Sequence, residues 1–593
     1  MSSTAEVTES VEEKAALFFH QLTAYFAELD ATRSRIRMME LLADLFTKTR
    51  PDEMDRVIYL LQGRVAPLYA PIEFGVGEQL TAEAVAEGTG ATLEDVHQRF
   101  SEIGDYGLVA EERIEREQGS LTVVQVFERL TDIALTEGEG SVAKRVSLLA
   151  DLLRQVGKQE VRYLLRIPLG RLRLGVGDPT VMDALSYART GSKDHRASIE
   201  RAYSICSDLA TVAKDYWRAG VDGLQDINIV VGTPVIPAAS ERVKSMEDLV
   251  VRLGRCAVEP KFDGIRCQVH FDGENVTMYS RHLENFSGMF PDVVAAVREQ
   301  AAGHTFIADS EALAYDVETG AFLPFQMTTQ RRRKHNVDEM AEKLPLRVVL
   351  FDLLYLDGAD LTRQPYTERR EKMLGFLQEG QVLQVTENIE TDSVAAIEAF
   401  FADKVEHGLE GVMAKKLDSV YQAGRRSFDW IKMKRSYQGE LSDTVDCVVL
   451  GYWYGKGARS KLGIGALLLG VYDKDRDLFV TISRLGTGFS EEEWVQMREL
   501  LDKETSEEKP ARVEAEIEPD VWSNPGYVVE IQADEITRSP THTCGKQNGD
   551  DLGYALRFPR VVGFVREDRG PEDATSVQEV AALYSVQIAK AKK

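Results

Sequence analysis

From residue 11 to about 225 the apolar positions recur every three or four residues, and the period changes twice further on. Phe18, Leu22, Tyr25, Phe26 and Leu29 follow the i, i+3, i+4 spacing that lines one side of a helix. Similar amphipathic stretches recur at 127–135, 143–156 and 195–218, so this part is expected to be all-α. A β-branched, Pro-bearing segment around 226–240, INIVVGTPVIPAA, marks the first change, and a domain boundary is expected just before it. From there to about 437, strands alternate with helices. RCQVHF (266–271), a turn through Asp272-Gly273 and VTMYSR (276–281) predict a β-hairpin. RVVLFDLLYL (347–356) is nearly continuous in apolar residues, as expected of a strand buried on both sides. After 437 the short runs 445–454, 466–473, 477–486 and 527–536, separated by Gly-rich turns, predict a small β-barrel. No internal repeat or long low-complexity segment is visible. The expected architecture is therefore multidomain: an all-α domain over 1–225, an α+β domain over 226–437 and a β-barrel domain over 438–593.

Composition narrows the function classes. The 593 residues include 97 Asp plus Glu against 71 Lys plus Arg, a formal charge of -26. No uncharged apolar run approaches the roughly 18 residues that span a bilayer, which argues against a membrane protein. The five cysteines form no CxxC pair, so neither a zinc site nor a disulfide framework is indicated, and a reducing cytosol fits best. Residues 1–10 lack the features of a signal peptide and read as a polar tail. Net acidity alone would argue against a polyanionic partner. The positive charge, however, is clustered. Residues 162–173 carry four arginines and no acid, 330–335 is QRRRKH, and 425–435 has five basic residues to one acidic.

The chemistry concentrates at Glu259-Pro260-Lys261-Phe262-Asp263-Gly264-Ile265-Arg266. Pro260 biases Glu259 to an extended backbone, and Gly264 permits a tight turn close to a ligand. A lysine fixed there can act as a nucleophile once burial beside other cations has helped remove its proton. Alone, the pattern also fits a surface lysine beside a turn. Downstream, in order, stand Ser280-Arg281, Asp309-Ser310-Glu311, Phe351-Asp352, Glu410-Gly411-Val412-Met413-Ala414-Lys415 and Trp430-Ile431-Lys432-Met433-Lys434. With these motifs the chain resembles the covalent nucleotidyltransferases, and among them the ATP-dependent DNA ligases of the archaeal and eukaryotic replicative type. LGRLRLGVGD (169–178) is similar to that family's DNA-binding domain, and ALRFPRVVGFVRED (555–568) with PEDAT (571–575) to its OB-fold end.

The resemblance implies an enzyme that seals nicks in duplex DNA with ATP, in replication, repair and recombination. Lys261 would take AMP from ATP as a phosphoramidate and pass it to the 5′-phosphate of a nick, and the neighbouring 3′-hydroxyl would then displace it. Glu259 would accept from the adenine amino group through side chain or backbone, and Phe351 would stack on the base. Arg266 and Arg281 would contact ribose and phosphates, Arg426 would be a further nucleotide-contacting arginine, and Lys432 and Lys434, two apart on a strand, would reach the α-phosphate together. Glu311 and Glu410 would hold magnesium, with manganese as the alternative metal. Salt bridges to nearby lysines, or hydrogen bonds to the ribose, are the competing explanations for two carboxylates in apolar surroundings. Arg166, Arg171 and Arg173 would grip DNA phosphates. Arg557-Arg560 and Arg566-Asp568 of the OB domain would orient the leaving pyrophosphate. One departure is that Arg569 stands where the family usually ends this element in lysine.

A monomer in the cytoplasm, associated with the nucleoid, is expected. Sliding-clamp binding is an expectation from archaeal relatives only, since the stretch near Gln118 matches their motif poorly. Within the superfamily, an RNA ligase or capping guanylyltransferase shares the lysine motif; the helical extension and the RFPR and PEDAT endings favour a DNA ligase. A non-catalytic nucleic-acid scaffold is the alternative from another class.

Overall fold

The computed structural model describes residues 15–172, 174–243, 245–318, 320–323, 325–333, 335–378, 380–407, 409–434, 444–455, 462–506, 508–546, 551–566 and 569–591. From Phe19 to Ala219 the chain is helical, and its buried apolar residues form one core. Local capping sets several helix starts. Ser34 Oγ accepts from Arg37 N, and Thr122 and Gln125 cap each other reciprocally. The stretch expected as one amphipathic helix over 195–218 is two, Arg196–Cys206 and Leu209–Ala219. Ser207 is left-handed (φ 52°), and Asp208 restarts the helix by accepting from Ala210 N and Thr211 N.

The middle region holds two sheets. The first contains β1 (Ala239–Arg242), β2 (Cys256–Lys261), β9 (Ile389–Thr391), β10 (Gly411–Lys416) and β11 (Arg426–Lys434), in the order β1-β11-β10-β2-β9. The second contains β3 (Ile265–Phe271), β4 (Val276–Ser280), β5 (Phe306–Ala314), β6 (Leu346–Leu356) and β7 (Ala359–Asp360), in the order β4-β3-β5-β6-β7, with β8 (Leu383–Val385) on β6. The predicted hairpin is β3-β4. Its turn is held by Asp272 Oδ1, which accepts from Glu274 N and Asn275 N. Each sheet has its own apolar cluster against helices, and a third cluster, including Ile229, Val235, Tyr421, Trp430 and Phe351, fills the space between them.

Beyond β11, strands Val445–Trp453, Ala466–Asp473 and Leu478–Leu485 pair successively in a large sheet. The run expected as one strand over 527–536 is two. Val528–Gln532 pairs with Val445–Trp453, whereas Glu535–Ser539 pairs with Gly553–Arg557 in a separate ribbon. The break falls at Asp534, whose carboxylate pairs with Arg560 at 3.0 Å. Among the described residues no helix is long and apolar enough to cross a membrane.

Candidate active site

β2 belongs to one sheet and β3 to the other, so residues 262–264 carry the chain across the gap between them. Lys261, the last residue of β2, therefore stands at the crossover. Gly264 makes the crossing possible, because a Cβ there would lie 2.4 Å from Ala312 O. A cavity of about 380 Å³ opens at this place, within the roughly 300–1,000 Å³ usual for small-molecule sites. Its walls include Glu259, Lys261, Arg266, Arg281, Glu311 and Phe351. Arg426, Lys432 and Lys434 complete them from β11. Every nucleotide contact expected from the sequence thus reaches one cavity. Glu410 adjoins it through Lys261 and Lys434.

The charges follow a pattern. Lys261 Nζ lies 2.8 Å from Glu410 Oε2, and Lys434 Nζ bonds the other oxygen of the same carboxylate. Burial alone would raise the Glu410 carboxyl, but these two ammonium groups outweigh it and hold it below the usual carboxylate range. Gly411 (φ 150°) brings this turn against β11, since a Cβ there would lie 2.1 Å from Met433 O. Among the described residues Arg281, Arg426 and Lys432 have no ion-pair partner. Burial, together with Lys434, Lys261, Arg426 and Arg281, pushes the Lys432 ammonium below its ordinary pKa. A pocket with this much uncompensated positive charge favours a polyanion.

Glu259 differs from its simplest expectation. Its carboxylate is buried and already engaged: Tyr366 Oη donates to Oε1 at 2.5 Å, and Lys415 Nζ lies 2.9 Å from Oε2. Lys415 is the residue the sequence reading missed. Its ammonium is buried, donates to Phe351 O at 2.5 Å and lies 4.5 Å from the Trp430 ring centre. The available signal was its phase on β10, where Met413 and Lys415 alternate with the core residues Val412 and Ala414. Arg266 is gripped by Asp309 through two bonds, Nε to Oδ1 at 3.1 Å and Nη2 to Oδ2 at 2.6 Å. Its guanidinium lies 5.5 Å from the Phe351 ring.

Glu311 accepts from Gly264 N at 3.1 Å. Burial raises its carboxyl to about 7 against the opposing pull of Lys261 and Arg266. Because the folded chain holds this proton more tightly than the unfolded chain, stability falls as pH climbs from the unfolded value of 4.5 through about 7. Glu311→Gln removes that slope. The melting temperature of the variant minus that of the wild type should therefore grow from about pH 5 to about pH 8 in differential scanning calorimetry; a pH-independent difference would contradict it.

The basic stretch of the helical region is arranged otherwise. Arg166 pairs with Asp105 at 2.7 Å and Asp30 at 3.5 Å, Arg171 pairs with Glu78, and Arg173 lies outside the described residues. In the C-terminal region Arg557 reaches Asp263 at 3.5 Å, two residues past Lys261, and Arg569 pairs with Asp446 at 2.7 Å. Arg560 pairs with Asp534 and Arg566 with Asp446, while Glu567 and Asp568 lie outside the described residues.

Two sheets that meet at a lysine lining a cationic, nucleotide-sized cavity are the arrangement expected of a nucleotidyltransferase. Comparison with known proteins is more specific. Residues 237–434 match the ATP dependent DNA ligase domain, 18–186 the DNA ligase N terminus, and 460–569 the ATP dependent DNA ligase C terminal region. A probable DNA ligase of Dictyoglomus turgidum is 52% identical over 96% of this chain and 97% of its own. A DNA ligase of Staphylothermus marinus is 40% identical over 96% of this chain and 99% of its own. A solved chain described as Pmar-Lig_PreS3 shares the fold with a TM-score of 0.53 at 17% identity, over 92% of this chain and 99% of that one. The chain belongs to the ATP-dependent DNA ligase family. It is accordingly an enzyme that uses ATP and acts on DNA.

Proposed function

We propose that Lys261 is the nucleophile, attacking the α-phosphate of ATP and releasing pyrophosphate. The AMP so captured passes to the 5′-phosphate of a nick and leaves when the adjacent 3′-hydroxyl closes the strand. The observation that carries this reading is the position of the Lys261 amine, at the crossover of two sheets and facing a cavity with Arg281, Arg426 and Lys432, which have no ion-pair partner among the described residues. Phosphoryl transfer rests on positioning and charge neutralisation, and these groups supply both. Glu410 Oε2, 2.8 Å away, orients the Lys261 amine, whose proton leaves to solvent or to the departing pyrophosphate. Phe351 meets the base, and Lys415 keeps the Glu259 carboxylate fixed at the base end, which leaves the Glu259 backbone to accept from the adenine amino group.

Among the described residues no group of three or more metal-ligating side chains occurs. Magnesium often takes only one or two protein carboxylates beside substrate phosphates, so the residues present fit it. Glu311 would hold it, and its weakly acidic carboxyl is ready to ionise beside a cation. Glu410 joins the set only if one of its lysines lets go. When bound, the ion neutralises phosphate charge.

We place the domain boundaries at 1–225, 226–437 and 438–593, and read the C-terminal strands as an OB-fold that closes over the nucleotide. The enzyme would act as a monomer on nicked duplex DNA in the cytoplasm, in replication, repair and recombination. A clamp contact would use the exposed segment around Gln118. Arg166 and Arg171 would exchange their acidic partners for DNA phosphates. Incubation with α-labelled ATP and magnesium should leave label on the denatured protein, and label from GTP instead would favour capping. Sealing of a nicked duplex should fall steeply with salt, since each phosphate neutralised adds about 0.9 to the slope of log K against log salt.

A further inference from the structure

Residues 229–238 connect the helical region to β1 without forming a strand or helix. Their apolar residues fill the space between the two sheets, with Ile229, Val235 and Ala238 buried beside Tyr421 and Trp430 and against Phe351. Three backbone positions of this segment have both polar groups satisfied by side chains of the nucleotide-binding region. Gly232 N donates to His270 Nδ1 at 3.0 Å, and Gly232 O accepts from Tyr279 Oη at 2.5 Å. Val235 N donates to Gln268 Oε1 at 2.7 Å, and Val235 O accepts from Gln268 Nε2 at 3.1 Å. Ala238 N donates to Tyr421 Oη at 3.0 Å, and Ala238 O accepts from Arg266 Nη1 at 2.8 Å.

Arg266, Gln268 and His270 alternate along β3 and so share one face of it. On an otherwise apolar strand they form a polar track, and the connecting segment lies on it as a bound peptide would. Burying Gln268 and His270 is tolerable because each finds partners there. The last rung of the track is a nucleotide-facing arginine. Tyr421 Oη donates to Asp309 Oδ2 at 2.6 Å, and Asp309 grips Arg266, which returns to Ala238 O. The ring Ala238–Tyr421–Asp309–Arg266 is closed.

We infer that Tyr421 and Gln268 are positioning residues for the nucleotide step, acting on Arg266 through the docked segment 232–238. This rests on the reading of the cavity as the ATP site. A ligand that favours the fixed Arg266 must equally favour the docked segment, because coupling between two binding events is reciprocal. ATP occupancy and the tether of the helical DNA-gripping region are then one linked equilibrium.

Two measurements test this. In the wild-type chain, a non-hydrolysable ATP analogue should slow hydrogen exchange at the amides of Gly232, Val235 and Ala238 by at least about threefold, as linkage requires. Unchanged exchange with analogue bound overturns the proposal. Tyr421→Phe and Gln268→Met should each raise the dissociation constant of the analogue by about tenfold, the scale of a lost hydrogen bond to a charged network. Added to Arg266→Ala, either should cost little more, since they act through that arginine. Additive losses, or unchanged dissociation constants, sink the idea. A wild-type chain that binds no analogue and takes no label on Lys261 instead removes the nucleotide reading on which the proposal stands.

Discussion

Lys261→Ala is expected to abolish retention of AMP on the protein and to lower ATP-driven sealing by on the order of 10⁴-fold or more, the scale seen when a covalent nucleophile is removed. The loss has a specific shape. A nick supplied with AMP already on its 5′-phosphate bypasses the lysine, so the variant should still seal it at a substantial fraction of the wild-type rate. Lys261→Arg should behave like the alanine variant in the first step, because a guanidinium keeps its charge and cannot offer a free amine pair. Glu410 remains paired to Lys434 in either variant, so the fold around the turn should persist. Equal loss on ATP-driven and pre-adenylated substrates would remove Lys261 from the nucleophile's role.

Lys415→Met is expected to cost about 3–5 kcal/mol of stability, read as a fall in the urea midpoint, because it strands a buried carboxylate. Glu259 keeps Tyr366 as a hydrogen-bond donor, but among the described residues its cations are Lys415 at 2.9 Å and the more distant Arg370 at 3.7 Å. Removing both charges is gentler than removing one. The double variant Lys415→Met/Glu259→Gln should recover a large part of the loss, and the cycle should give a strong coupling energy. A single-variant loss below about 1 kcal/mol, the level of an exposed pair, would mean that the pair is not desolvated in solution.

The departures from the sequence reading share one cause. Lys415 stood in a quoted motif and Tyr421 just beyond it, in the connection between β10 and β11, yet neither received a role, since their partners lie on other elements and show only in the fold. Asp309 read as part of a motif, but its grip on Arg266 requires two adjacent strands in one register, Arg266 opposite Glu311 and Gln268 opposite Asp309. His270 was left without a role and proves to be buried, its pKa lowered to about 3 by burial, with the connecting segment as its partner. The arginines of the helical region read as free cations because charge balance was judged along the chain. Asp30, Asp105 and Glu78 that pair with them come from distant stretches.

While the roles expected of the charged residues around Lys261 came from the family resemblance, periodicity and motif order by themselves gave the three-part architecture, the hairpin and the cluster of those residues. These rest on nearest neighbours in sequence: the alternation along a strand, the spacing along a helix, and turn residues fixed by their own backbone needs. Which carboxylate neutralises which cation was decided only when β2, β3, β10 and β11 came together. Electrostatic energy depends on separation and on the water excluded between charges, and folding alone sets both.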